Sequence, residues 1–153
     1  MCDPMDLEIC AATATHAPVI SAVIVESLRA TNAKDYPPDV IERIAGNFSP
    51  GRVRDLLAKR DAIVAVLDGR VVGTASLDGD VVRTVFVAPD VQDRGVDVKL
   101  MRELERRARA RGLAMLSVSS SITAEGFYAK LGFVAVRDSY HGAERTIIMV
   151  RSL

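Results

Sequence analysis

The sequence predicts an α/β chain, an α+β mixed sheet that is mostly antiparallel with one parallel pair of neighbours and helices on its flanks. Three observations carry this. β-branched runs at residues 62–67, 71–77 and 81–87 are separated by Asp68-Gly69 and Asp78-Gly79, two-residue turn signals that fold consecutive strands into an antiparallel meander. A glycine turn, Gln92-Asp93-Arg94-Gly95, follows Pro89 and opens into a long amphipathic pattern that Gly112 ends. An apolar run at residues 113–118 comes next, and a right-handed crossover sets it parallel to residues 81–88. Two such neighbours diverge from a common edge.

Taken in order, residues 7–12 alternate weakly and suit a first strand. Thr15 is placed to cap a helix carrying Val19, Ile20, Val23, Ile24 and Leu28 at three- and four-residue spacing, with Glu26 and Arg29 on its polar side. Pro37-Pro38 cannot sit inside a helix but can start one, which gives a short helix over residues 38–45 bearing Val40, Ile41 and Ile44. Ser49-Pro50 is a second start signal, for a helix through Val53, Leu56 and Leu57 to about Arg60. These short helices are expected to form a cover rather than a core layer. Gly73, inside the second meander strand, marks a bulge or a close backbone approach.

The long helix is expected to run to Arg111, with Val96, Leu100, Leu104 and Ala108 facing the sheet. Arg102, Glu103, Glu105, Arg106, Arg107, Arg109 and Arg111 are assigned to its solvated face. After the following strand, Ser121 is placed to cap a short helix through Ala124, Phe127 and Leu131, closed by Gly132 with Phe133 folding back. Residues 134–136 and 146–150 make a closing pair of strands joined by a loop over residues 138–144. An exposed edge strand near the C-terminus leaves a homodimer open.

Composition removes several classes of function. At 153 residues with 49% hydrophobic side chains, the chain can bury the core of one domain spanning residues 1–153. Twenty basic and twenty acidic residues give no net charge, so the field that non-specific nucleic-acid binding relies on is missing. No apolar run approaches the roughly 20 residues that span a bilayer. The acidic start, Met-Cys-Asp-Pro-Met-Asp, lacks the pattern of a secretory signal, and the expected location is the cytoplasm. Cys2 and Cys10 would close only a small loop and are expected as reduced thiols.

The chemistry centres on the glycine turn. The first turn of a helix offers N–H groups without intrahelical partners at the positive end of its dipole, so the expected ligand carries phosphate. With this turn, and with Ser121, Ala124, Phe127-Tyr128 and Leu131-Gly132-Phe133 after it, the chain closely resembles the GNAT superfamily of acetyl-CoA-dependent N-acetyltransferases. The likeness covers nearly the whole chain and is strongest from Val81 to Phe133.

The resemblance implies a V-shaped opening between the two parallel strands that takes the pantetheine arm of acetyl-CoA, a co-substrate, with no metal. Backbone groups of Val85, Phe86 and Val87 would bond that arm as an added strand. The diphosphate would rest on Gln92, Asp93, Arg94, Gly95, Val96, Asp97 and Val98, and Ser121 would border the site. It also implies that Tyr128 is the general acid beside the departing sulfur, with N–H groups near Val87 polarising the thioester. The acceptor would be a primary amine, on a small molecule or a peptide, attacking directly in a ternary complex.

Two residues depart from the family pattern. Asp97 stands where glycine or alanine is usual, and its charge competes with phosphate for the helix end, so weakened binding is expected unless it points away. Ser121 stands where many relatives carry asparagine. A non-catalytic acyl-CoA-binding or regulatory module with a degraded phosphate loop is therefore the alternative. Glu26, Asp35, Asp80, Asp138 and His141 are the candidates for the base that deprotonates the amine, with no sequence signal separating them.

Overall fold

A computed structural model describes residues 7–153. Seven strands form one sheet: β1 (Leu7–Ala11), β2 (Asp61–Leu67), β3 (Arg70–Asp78), β4 (Val81–Val87), β5 (Met115–Ser121), β6 (Val134–His141) and β7 (Glu144–Ser152). Their order is β1-β2-β3-β4-β5-β7-β6, antiparallel throughout except at β4–β5. Helices α1 (Ala17–Ala30), α2 (Pro38–Gly46) and α3 (Pro50–Lys59) lie between β1 and β2, α4 (Val96–Ala110) between β4 and β5, and α5 (Glu125–Lys130) between β5 and β6. The predicted mixed α/β architecture is the observed one.

The parallel pair is short. Only Val81↔Ser117 and Val82↔Val118 are in register, after which β4 and β5 separate. Each strand keeps its other neighbour: β4 stays bonded to β3 as far as Val87, and β5 to β7 along its whole length. The sheet is thus two well-paired halves joined at one corner, with a slot between residues 83–87 and residues 119–121.

Each face has its own core. On one, Val96, Leu100, Leu104 and Ala108 of α4 are buried as their spacing predicts, together with Tyr128 and Phe133. On the other, α1, α2 and α3 bury Ile20, Ile24, Leu28, Val40, Ile41 and Val53 around Val64. The expectation of a mere cover is corrected here, because these helices contribute a second core layer with its own fully buried side chains. Their proline starts are as expected, and Ser49 Oγ accepts from the Arg52 N–H at 3.4 Å.

Several local expectations are also corrected. Thr15 does not cap α1: it lies inside a one-turn 3-10 segment, and Thr13 is its boundary, where the Thr13 N–H donates to His16 Nδ1 at 3.0 Å. Glu105 is buried rather than solvated, paired with Arg109 of the same helix and with Arg151 of β7. Arg107 of the same helix reaches inward to Asp61 as well as to Glu103. Residues 138–141 are strand, not loop: β6 and β7 form a hairpin with Gly142-Ala143 alone at the tip, Gly142 taking φ +63°. Cys10 is a half-buried thiol of β1, while Cys2 and the other residues of the acidic start lie outside the described residues. No helix among the described residues is long and apolar enough to cross a membrane.

Candidate active site

A cleft of about 540 Å³ occupies the slot where β4 and β5 part. Its walls are residues 82–87, residues 118–121, the inner faces of α1 and α2, and the start of α5. The cause of the opening is legible in β4. Thr74 faces Phe86 and Ser76 faces Arg83, so two residues, Thr84 and Val85, oppose the single Ala75. This is a β-bulge, and it holds Thr84 at φ +56°, a left-handed backbone that a β-branched residue adopts only under constraint. The bulge bends β4 away from β5 and leaves the edge of residues 83–87 without a strand partner on that side.

Gly73 lies opposite Val87, beside the bulge. A Cβ there would come within 3.1 Å of Leu100 Cδ1, 3.2 Å of the Phe86 carbonyl oxygen and 3.2 Å of Val96 Cγ1. Both sequence readings of this glycine hold, since the register of β3 against β2 also shifts beside it, between the pairs Ala65↔Gly73 and Val66↔Val71. It lets α4 press against β3 and β4, which fixes the helix start next to the open strand edge.

That helix start is built as the sequence suggested. Asp93 and Gly95 take φ of +64° and +78°, and Gly95 adopts this turn without strain. The first helical hydrogen bond runs from the Lys99 N–H to the Gly95 oxygen at 3.1 Å. The N–H groups of Val96, Asp97 and Val98 precede it. Asp97 Oδ1 accepts from its neighbour, the Val98 N–H, at 2.8 Å, and Asp97 lines the cleft instead of pointing away. Gln92 turns inward, its Nε2 donating to the Val87 oxygen at 3.2 Å and to Thr31 Oγ1 at 3.1 Å, so it locks the turn to β4 and to α1.

Across the cleft, Ser121 Oγ accepts from the Ala124 N–H at 3.1 Å and holds the turn before α5, but it is not the predicted cap: Ser121 ends β5, and the cap position is Ala124, whose methyl side chain cannot supply the bond. At the far end the Phe133 N–H returns to the Tyr128 oxygen and the Gly132 N–H to the Ala129 oxygen, with Gly132 at φ +96°. This closing turn clamps the Tyr128 ring edge-on between Phe127 and Phe133, at centroid distances of 5.1 and 5.5 Å. Tyr128 is 4% exposed and borders the cleft. Burial, reinforced by the Asp97 charge, raises its phenol well above the usual tyrosine range.

The structure brings Val85, Phe86, Val87, Gln92, Asp93, Asp97, Ser121 and Tyr128 to one cleft, and sets the N–H groups of Val96 and Val98 at its end. Of the five candidate bases, His141 alone lines it. Glu26 is exposed on α1, Asp80 in the β4 turn and Asp138 on β6, paired with Arg145, while Asp35 accepts from Thr123 Oγ1. Sequence reasoning missed Tyr36, Arg43, Arg60, Arg83 and Glu144, all at the cleft. Tyr36 accepts from the Ile122 N–H at 2.9 Å and donates to the Arg145 oxygen at 2.7 Å, tying the α1–α2 connection to β5 and β7. Only pairings across more than 80 residues could have found it.

A sheet opened at one parallel pair, with a helix N-terminus at the mouth of the slot, has the shape and polarity to fit an extended ligand ending in an anionic group. Comparison with known proteins gives the family. Residues 32–150 match the acetyltransferase (GNAT) domain, and the chain belongs to that family. An uncharacterized N-acetyltransferase of Escherichia coli (strain K12), YafP, is 28% identical over 118 residues, covering 77% of this chain and 75% of that protein. Among solved structures, a GCN5-related N-acetyltransferase from Rhodopseudomonas palustris superposes with a TM-score of 0.92 at 30% identity over 95% of both chains. The PaiA N-acetyltransferase of Thermoplasma acidophilum, solved with coenzyme A, shares the fold with a TM-score of 0.83 at 18% identity, covering 97% of this chain and all of that one.

Proposed function

We propose that the chain transfers an acetyl group from acetyl-CoA to a primary amine by direct attack in a ternary complex. The observation that carries this is the slot between β4 and β5, whose free strand edge leads to a helix N-terminus. The PaiA protein was solved with coenzyme A, and YncA of Salmonella typhimurium, which shares the fold at a TM-score of 0.63, with acetyl-CoA. In this chain residues 85–87 would pair with the pantetheine amides, and the N–H groups at the head of α4 would meet the diphosphate.

In the reaction the amine nitrogen attacks the thioester carbonyl carbon, a C–N bond forms, the C–S bond breaks, and the nitrogen loses a proton. N–H groups of the bulged strand face the carbonyl oxygen as it gains charge. Tyr128 acts as a hydrogen-bond donor to the leaving sulfur. Its phenol is held above the range where a thiolate would take its proton, so the thiolate leaves hydrogen-bonded and is protonated from solvent. His141, exposed and the one candidate base that lines the cleft, would take the amine proton directly or through water.

Asp97 favours a second reading, a module that binds acyl-CoA without turnover, because its carboxylate already occupies the Val98 N–H. Calorimetric titration with acetyl-CoA, followed by thiol release with a panel of amines, separates the two. Binding with turnover supports the transferase and binding without it the module. No binding at millimolar acetyl-CoA defeats both.

A further inference from the structure

Charge along the cleft is segregated. The acids Asp93 and Asp97 lie at the α4 end, and Glu144 is paired with Arg43 at 3.3 Å. At the corner where β4 and β5 part, two further arginines line the wall. Arg60 arrives from the end of α3, and its Nη1 donates to the hydroxyl of Thr84, the strained residue of the bulge, at 3.0 Å. Among the described residues no carboxylate is within ion-pair distance of it, and burial, with the Arg83 charge, depresses its pKa against the pull of the more distant Asp78. Arg83 is the next residue along β4. Its Nε is buried without a hydrogen-bond partner among the described residues and makes only a long ion pair, 3.9 Å, with Asp78 Oδ2.

Two guanidinium groups on one wall, one desolvated and one with an orphaned buried donor, repel each other, share the single nearby carboxylate of Asp78, and leave hydrogen-bonding capacity unused. A buried donor without a partner is costly, and the cost is relieved by an acceptor that arrives with the ligand. A carboxylate matches this need, because its two oxygens meet the planar fork of a guanidinium in pairs. Arg83 stands four residues before Val87, a strand length of about 13 Å, toward the opposite end of β4 from the turn that leads to α4, so these cations are remote from the diphosphate end.

We propose that the acceptor is a small amine that also carries a carboxylate, an amino acid or a short ω-amino acid, and that Arg60 and Arg83 hold that carboxylate beside the bulge. This rests on the acetyltransferase reading for the slot. A dication such as a diamine would meet like charge at the same wall.

The test uses matched pairs: glycine, β-alanine and L-leucine, each against its carboxamide, with 1,4-diaminobutane as the cationic arm. Affinities are measured by calorimetry on the full chain saturated with CoA, so that no turnover is needed. At least one amino carboxylate is expected to bind about tenfold or more tightly than its amide, a preference that Arg60→Gln and Arg83→Gln each reduce. Arg102→Gln, an exposed position of α4 away from the cleft, is expected to leave it intact. Equal affinity for acid and amide throughout, tighter binding of 1,4-diaminobutane, or a preference that survives both substitutions overturns the proposal. Those results leave the transferase reading standing, since that reading fails where acetyl-CoA does not bind or binds without turnover.

Discussion

Two residues at the cleft carry opposite obligations. Tyr128 is buried yet keeps its edge on the slot, and the aromatic clamp of Phe127 and Phe133 would hold a phenylalanine in the same place. Tyr128→Phe is therefore expected to lower turnover about 100-fold while acetyl-CoA affinity stays the same, read by steady-state kinetics beside calorimetry. Unaltered turnover would return the ring to a packing role. Asp97 satisfies the helix dipole and one N–H when the site is empty, but the same charge repels a diphosphate. Asp97→Asn keeps an oxygen on the Val98 N–H and removes the charge. It is expected to tighten acetyl-CoA binding by about two- to fivefold, the equivalent of about 0.4–1 kcal/mol, and the gain should shrink in high salt. Unchanged affinity would mean that the carboxylate swings clear of the ligand.

Among the elements, β3 and α4 set the shape of β4. Gly73→Ala would force a Cβ against Leu100, Val96 and the Phe86 carbonyl oxygen, and backbone has little room to yield. The expected outcome is a loss of about 1–3 kcal/mol in denaturant unfolding together with weaker acetyl-CoA binding, because the displaced strand is the one that faces the slot. Helix α4 is held to the sheet from outside by an ionic cluster, Glu103 with Arg106 and Arg107, the latter also reaching Asp61. Hydrogen bonds from Arg106 and then Arg107 hold the Glu103 carboxyl down to about 2, against an ordinary 4.5, with partial burial opposing them. A depressed carboxyl stabilises the fold above its unfolded value, and that contribution is lost as pH falls from 4.5 towards 2. Thermal melts across this range should show a steeper acid decline in the native chain than in Glu103→Gln.

For the whole molecule, the two buried tyrosines set the alkaline limit. Burial raises Tyr128, with the Asp97 charge adding to it, and burial also raises Tyr36 against the opposing hydrogen bond from the Ile122 N–H. A phenol whose folded pKa is raised holds its proton more tightly in the folded state. Its contribution is complete below the ordinary value of 10 and is lost as pH rises beyond it. Melting temperature should therefore fall above pH 10, and less so in Tyr36→Phe or Tyr128→Phe measured against their own values at pH 8. Since Tyr36 joins the α1–α2 connection to β5 and β7, its loss should also loosen the two halves of the sheet against one another.

What the sequence determined by itself was everything written in local spacing. The meander follows from Asp-Gly turns, α4 from Val96, Leu100, Leu104 and Ala108, and the closing turn of α5 from Gly132 and Phe133. The backbone part of the cofactor end was legible for the same reason, because a glycine turn before a helix is a local signal. Tertiary structure decided the rest. Glu105 reads as surface until β7 brings Arg151 to it, and residues 138–141 read as loop until pairing with β7 supplies the partners that their polar side chains do not advertise. The parts of the cleft wall that Tyr36, Arg60, Arg83 and Glu144 line come from segments up to about a hundred residues apart. Hydrophobic period and turn chemistry act over a few residues, whereas a binding wall is made by the packing of whole elements, and the charges that face one another across it carry no common spacing in the chain.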